Sequence, residues 1–232
     1  MEIQEFAPRH VVAQLIFKRK QATVVDRRGE LAGELHDLFA TASAALEPTA
    51  AEATTDDEMS KYRIGMAQLL AEMHVDGFEE GSERVETFFR RGMELLDSPT
   101  LSRVVAHTSD VAAVPSFDDL REALFEKLSA NPGRIRDAVG VPVDDAAWTY
   151  NFADDSWIVD VRISPMTGDD LQYAFDAPDG AEFPDASLFV DVKVMRRAED
   201  KDGDPLELWD SALRRNRQIT AKLGAWLKEA LA

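Results

Sequence analysis

Four histidines, 44 carboxylate side chains and no cysteine make up most of the chemical inventory of this 232-residue chain. The missing thiol excludes disulfides, thiolate metal sites, iron–sulfur clusters and cysteine nucleophiles. His10, His36, His74 and His107 stand at separations that fit no HxH, HExxH or HxxxH ligand pattern, so spacing alone points to no metal site. Aspartates come in adjacent pairs at Asp56-Asp57, Asp118-Asp119, Asp144-Asp145, Asp154-Asp155 and Asp169-Asp170. Adjacent aspartates serve turns and helix starts, whereas two-carboxylate catalysis needs them on opposed walls of a pocket. Asp200-x-Asp202-Gly203-Asp204 has the opening of a calcium loop but lacks its sixth-position glycine, and Ser211 stands where the closing glutamate would fall. No phosphate-binding glycine motif and no G-x-S-x-G elbow occurs, and Gly77, Gly81, Gly133, Gly140 and Gly168 read as punctuation. No catalytic residue, metal or cofactor is therefore expected.

Charge says more than motifs. Net charge is −18, and residues 144–191 hold net −11, with Arg162 as their single basic residue; residues 193–232 are net +2. Such a field repels free nucleic acid and anionic lipid and favours a partner with a basic surface. Arg196-Arg197 and Arg214-Arg215-x-Arg217, together with Lys18-Arg19-Lys20 and Arg27-Arg28, could converge into a patch; separately they read as solvated faces. Residues 1–10 lack the basic start and apolar run of a signal peptide, and no stretch reaches the length of a membrane span, so the expected address is the cytoplasm.

These residues must be positioned by elements, and the second half of the chain shows them best. Trp148, Tyr150 and Phe152 alternate with Thr149 and Asn151; Trp157, Val159, Val161 and Ile163 with Ile158, Asp160 and Arg162; Leu171, Tyr173 and Phe175 with Gln172 and Ala174; and Leu188, Val190, Val192 and Val194 with Phe189, Asp191 and Lys193. Period-two alternation split by Asp, Gly and Pro turns predicts a four-strand antiparallel meander with one buried and one wet face. The wet face would carry Asp160, Arg162, Gln172, Asp191 and Lys193. Asp204-Pro205-Leu206-Glu207 opens a long C-terminal helix, whose Trp209, Leu213, Leu223 and Leu227 stripe would cover the apolar face.

Earlier, Val11–Phe17 reads as a strand, Leu31–Leu46 as a helix with an Ala-rich second part, and Pro48–Ser60 as an acidic loop. Tyr62–Val75 fits a strand, Ser82–Leu96 a helix and Ser102–Val114 a strand. Ser116 caps a helix to Leu128, which Asn131-Pro132-Gly133 breaks. The fold class is α+β: antiparallel sheet with helices packed on one face, and the long C-terminal helix over the meander. The halves divide at 1–140 and 141–232, within what can equally be one continuous domain.

Val11-Val12-Ala13-Gln14-Leu15-Ile16-Phe17, Leu101-Ser102-Arg103-Val104-Val105 and Phe189-Val190-Asp191-Val192-Lys193-Val194, with Asn216, Ile219, Leu223 and Leu227 in the following helix, resemble a sporadically distributed, uncharacterised family of bacterial proteins of similar length. A polar residue and a threonine of that pattern are replaced here. The resemblance implies an α+β fold and carries no activity.

The functional expectation is a non-enzymatic interaction or regulatory protein that self-associates and docks a basic partner through Asp160, Arg162, Asp176, Asp191 and Lys193. One alternative is a metal-dependent hydrolase or nuclease using Asp144, Asp145, Asp154 and Asp155. Another is a small-ligand site near Trp148, Trp157 and Trp209.

Overall fold

The computed structural model describes all residues except 40, 56–58, 75–77, 142–143, 178–180 and 200–202. Asp56, Asp57, Gly77, Asp200 and Asp202 therefore lie outside the described residues. In chain order the elements are β1 (Ala7–Phe17), α1 (Thr23–Phe39), β2 (Thr41–Glu47), β3 (Ala50–Thr55), β4 (Ser60–Gly65), β5 (Gln68–His74), α2 (Phe78–Leu95), β6 (Leu101–Ala113), α3 (Phe117–Leu128), α4 (Pro132–Val139), β7 (Trp148–Ala153), β8 (Trp157–Thr167), α5 (Gly168–Phe175), β9 (Ala186–Arg197) and α6 (Pro205–Leu231). All nine strands form one antiparallel sheet in the order β2-β3-β4-β5-β1-β6-β9-β8-β7, so the class is α+β.

The topology repeats. A central strand, a helix, a meander and a second helix occur once as β1, α1, β2–β5, α2. They occur again as β6, α3, β7–β9, α6, with α4 and α5 added. Antiparallel pairing of β1 with β6 joins the two repeats, 7–95 and 101–231, into one continuous sheet. Alternation then divides the sheet faces. Leu15, Tyr62, Leu69, Val104, Val161 and Val192 point to one side and are buried. α1 lies over β2 and β3, α2 over β5 and β1, α3 over β8, and α6 over β6 and β9. No helix among the described residues is long and apolar enough to cross a membrane.

α6 begins where its sequence signal places it. Asp204 Oδ1 accepts from the Leu206 amide at 2.9 Å, and Pro205 occupies the first turn. Ser116 likewise caps α3, accepting from the Asp119 amide. α3 closes at Leu128 with Ser129 as its cap, and Pro132 starts the next helix, since a proline is tolerated in the first turn of α4.

Four expectations are corrected. The helix expected over Leu31–Leu46 stops at Phe39, and its Ala-rich part is strand β2. Much of the expected loop Pro48–Ser60 is strand β3, whose Ala51 and Ala53 are buried under α1. Alanine is neutral between the two periods, and pairing in the β2–β3–β4 meander decides for strand. The single strand expected over Tyr62–Val75 is a hairpin, β4 and β5, turning at Met66-Ala67. The fourth correction bears most on function. Leu171–Phe175 is not a strand but lies in α5, so the meander has three strands, β7-β8-β9, and β6 completes its flank. Thr167 and Asp170 form a full capping box: Thr167 Oγ1 accepts from the Asp170 amide at 3.2 Å, and Asp170 Oδ2 accepts from the Thr167 amide at 2.9 Å. Leu171 and Phe175, four apart, pack together on one side of the helix, while Tyr173 between them is 90% exposed.

Candidate functional site: the open face of the sheet

The second sheet face carries the polar strand positions, and among the described residues α5 covers only one end of it. Leu171 and Phe175 pack there with Val111, Met166 and Phe189 in a small separate core. Beyond that core lie two adjacent cross-strand rows. In one, His74, His10, Ser109, Asp191, Arg162 and Thr149 stand side by side across six strands. In the next, Glu72, Val12, His107, Lys193, Asp160 and Asn151 do the same.

Four of the five expected binding residues meet here. Asp160 stands opposite Lys193, and Arg162 opposite Asp191. Their hydrogen bonds go to the strand on the other side, β7 for Asp160 and β6 for Asp191. Asn151 Nδ2 donates to Asp160 Oδ1 at 2.8 Å. Asp191 Oδ1 accepts from His107 Nε2 at 2.7 Å and from Ser109 Oγ at 2.6 Å. Asp176 and Gln172 leave the face because they belong to α5. Asp176 ends that helix in the left-handed conformation, φ 46°, and lies close enough to His74 for its charge to favour the imidazolium.

The histidines are the part that spacing did not reveal. His10 and His74, on neighbouring strands, have ring centroids 5.2 Å apart, and Phe175 stacks over His10 at 5.5 Å. His10 Nε2 bonds Glu72 Oε1 at 2.9 Å. That bond holds the Glu72 carboxyl below its ordinary pKa, against its partial burial and with help from Lys61 and His74. Burial, and then the neighbouring His10, push His74 down towards the neutral form. For Asp191 burial opposes ionisation, but the bonds from His107 and Ser109 outweigh it and lower its pKa.

Serine, histidine and aspartate in contact invite comparison with a nucleophilic triad, but the connectivity differs. Ser109 and His107 both donate to the same oxygen of Asp191, so the imidazole does not stand between hydroxyl and carboxylate. The arrangement ties β6 to β9 and fixes an ionised carboxylate on the open face.

The other candidates disperse. Asp144-Asp145 and Asp154-Asp155 lie at opposite ends of β7, separated by about 20 Å of strand. Asp154 is held by the Ser156 and Trp157 amides, which lower its pKa. Among the described residues no group of three or more histidines and carboxylates is placed to hold a metal ion. The tryptophans belong to the helix side. Trp209 is buried edge-on to Phe89 at 5.7 Å, and Trp157 sits beneath the guanidinium groups of Arg196 and Arg215. Two of the basic clusters thus meet over an aromatic ring, each contact being a cation–π interaction.

The fold and the open face define a class: an open-faced α+β sandwich with a histidine- and carboxylate-bearing sheet surface. No protein-family model matches the chain, and no curated protein matches it in sequence.

Proposed function

We propose that this protein is a non-enzymatic docking protein that holds a partner with a basic surface against the acidic end of its sheet and associates with further copies of itself. One observation carries the reading. The described residues of 144–191, with eleven carboxylates and one basic side chain, make up an outer block of β7, β8, α5 and the start of β9. That block ends the sheet at β7, a strand without charge or proline whose residues Thr149–Ala153 are all exposed. Native edges are usually blunted by charge, proline or a covering element, and an uncovered one is a template for pairing. Phe152 is 57% exposed on that strand.

Docking here is electrostatic in approach and strand-like or flat in contact, so it weakens with salt. The test is native mass spectrometry of the tagged protein taken gently from its own host, beside a variant carrying Asp155→Lys and Asp176→Lys. Both aspartates are exposed, so the variant keeps the fold. A stoichiometric companion that is released by salt and absent from the variant supports the reading. A companion retained by the variant, or none with either protein, overturns it. Sedimentation equilibrium checks self-association: a monomer at every concentration removes that half of the proposal.

A further inference from the structure

On the helix side of the sheet, remote from the open face, a cleft of about 570 Å³ lies between the N-terminal segment and α6. Glu5, Phe6 and Pro8 form one wall; Arg217, Thr220, Gly224 and Lys228 form the other. Asp110 of β6 also lines it. Asp110 is 2% exposed, yet among the described residues its Oδ2 has no hydrogen-bond partner, and neither has the buried Thr220 Oγ1. Asp110 Oδ1 stands 3.6 Å from Arg217 Nη1, close enough for charge attraction but too long for a hydrogen bond. A carboxylate this deep normally has its lone pairs filled, because an unmade bond costs its full desolvation.

We propose that this cleft is a binding site for a free α-amino acid with an apolar side chain. The recognition is geometric. A carboxylate and a guanidinium 3.6 Å apart present opposite charges at a spacing that suits an α-ammonium beside an α-carboxylate. The ammonium donates to Asp110 Oδ2 and Thr220 Oγ1, while the carboxylate accepts from Arg217, with Lys228 at the cleft adding positive charge. Phe6, Pro8, Ala221 and Ala225 leave an apolar wall for the side chain. Gly224 shapes that wall: a Cβ there would sit 3.0 Å from the Phe6 ring. The volume lies within the usual range for small-molecule sites. Burial raises the Asp110 pKa, so this carboxylate gains when a bound ammonium replaces its missing solvation. A divalent cation is disfavoured because Arg217 lies against the same carboxylate.

The test uses the intact protein with L-leucine, L-methionine and L-phenylalanine as probes, and isoamylamine and isocaproate as halves of leucine. Thermal unfolding and calorimetry are read for each. At least one amino acid should raise Tm in a concentration-dependent way, while each half binds about tenfold weaker or worse. Asp110→Asn, isosteric and still folded without ligand, should lose that response, and Thr220→Val should weaken it. No response to any amino acid, equal responses to a half-molecule, or an undiminished response in Asp110→Asn overturns the proposal. None of these outcomes bears on partner docking, which uses the other sheet face and its edge.

Discussion

His10 and His107 occupy equivalent places in the two halves of the sheet. Each sits on a central strand and bonds a carboxylate that faces the residue two places further along that strand: Glu72 opposite Val12, and Asp191 opposite Ser109. A pseudo-two-fold axis through the Val11–Thr108 pair relates the two bonds, just as it relates β1 to β6 and β5 to β9. The repeated histidine–carboxylate diagonal therefore follows from the repeated topology, and it places two ionised acids at the centre of the open face.

Asp191 makes this face pH-dependent. Its folded pKa lies below the unfolded value, so its contribution is fully present above the unfolded carboxylate pKa and is lost as pH falls through the folded one. Asp191→Asn should lower stability by about 1–3 kcal/mol at neutral pH, with a smaller difference in acid. Urea unfolding across the acid range, wild type against variant, reads both the size and the slope.

Asn216 is the polar link between α6 and the sheet. Wholly buried, it accepts from Thr108 Oγ1 at 2.8 Å and donates to the carbonyls of Val192 at 2.6 Å and Ala106 at 3.3 Å. Asn216→Ala removes the partner of a buried hydroxyl and should cost about 2–3 kcal/mol. Asn216→Asp should cost more at neutral pH, because a carboxylate would then face two carbonyl oxygens. Chemical denaturation of the pair gives the order, and equal losses would contradict it.

Two helix glycines should respond in opposite directions. A Cβ on Gly33 in α1 would meet nothing within 4 Å, so Gly33→Ala should stabilise by about 0.5–1 kcal/mol through helix propensity. On Gly92 in α2 a Cβ would lie 2.7 Å from Leu69 Cδ1, and Leu69 is wholly buried. Gly92→Ala should destabilise by about 1–3 kcal/mol. Melting temperatures of the two variants measure the contrast.

Thr167 holds α5 on the open face. Thr167→Ala breaks one arm of the capping box and should cost about 1 kcal/mol, releasing Phe175 from His10. Amide hydrogen exchange should rise locally across α5. Tyr173→Ser, at a 90% exposed position, should change stability by less than about 0.5 kcal/mol.

Much of this architecture is legible in the sequence. Polar residues alternate with valine and isoleucine through the middle of β8 and β9, which assigns Asp160, Arg162, Asp191 and Lys193 to one face from their positions alone. Asp204 and Pro205 marked the start of α6 because capping is a local interaction spanning a few residues. Leu171, Tyr173 and Phe175 misled because apolar residues at i and i+4 satisfy both periods. The deciding signal was Thr167 with Asp170 just upstream, a local capping pair that outranks a weak alternation. The alanines of β2 and β3 held no comparable signal, and neighbouring strands settled their state.

Tertiary structure alone decided the site itself. His10 and Glu72 are 62 residues apart, and His107 and Asp191 are 84 apart. No interval in the chain encodes contacts that arise from strand order and register. The same holds for Asp110, whose place against Arg217 beneath α6 depends on which helix covers β6 and how the N-terminal segment crosses it. Sequence determined what is local: period, caps, charge density and the inventory of reactive groups. Packing determined which of those groups meet, because a register shift of a single residue would move every one of them to the other face.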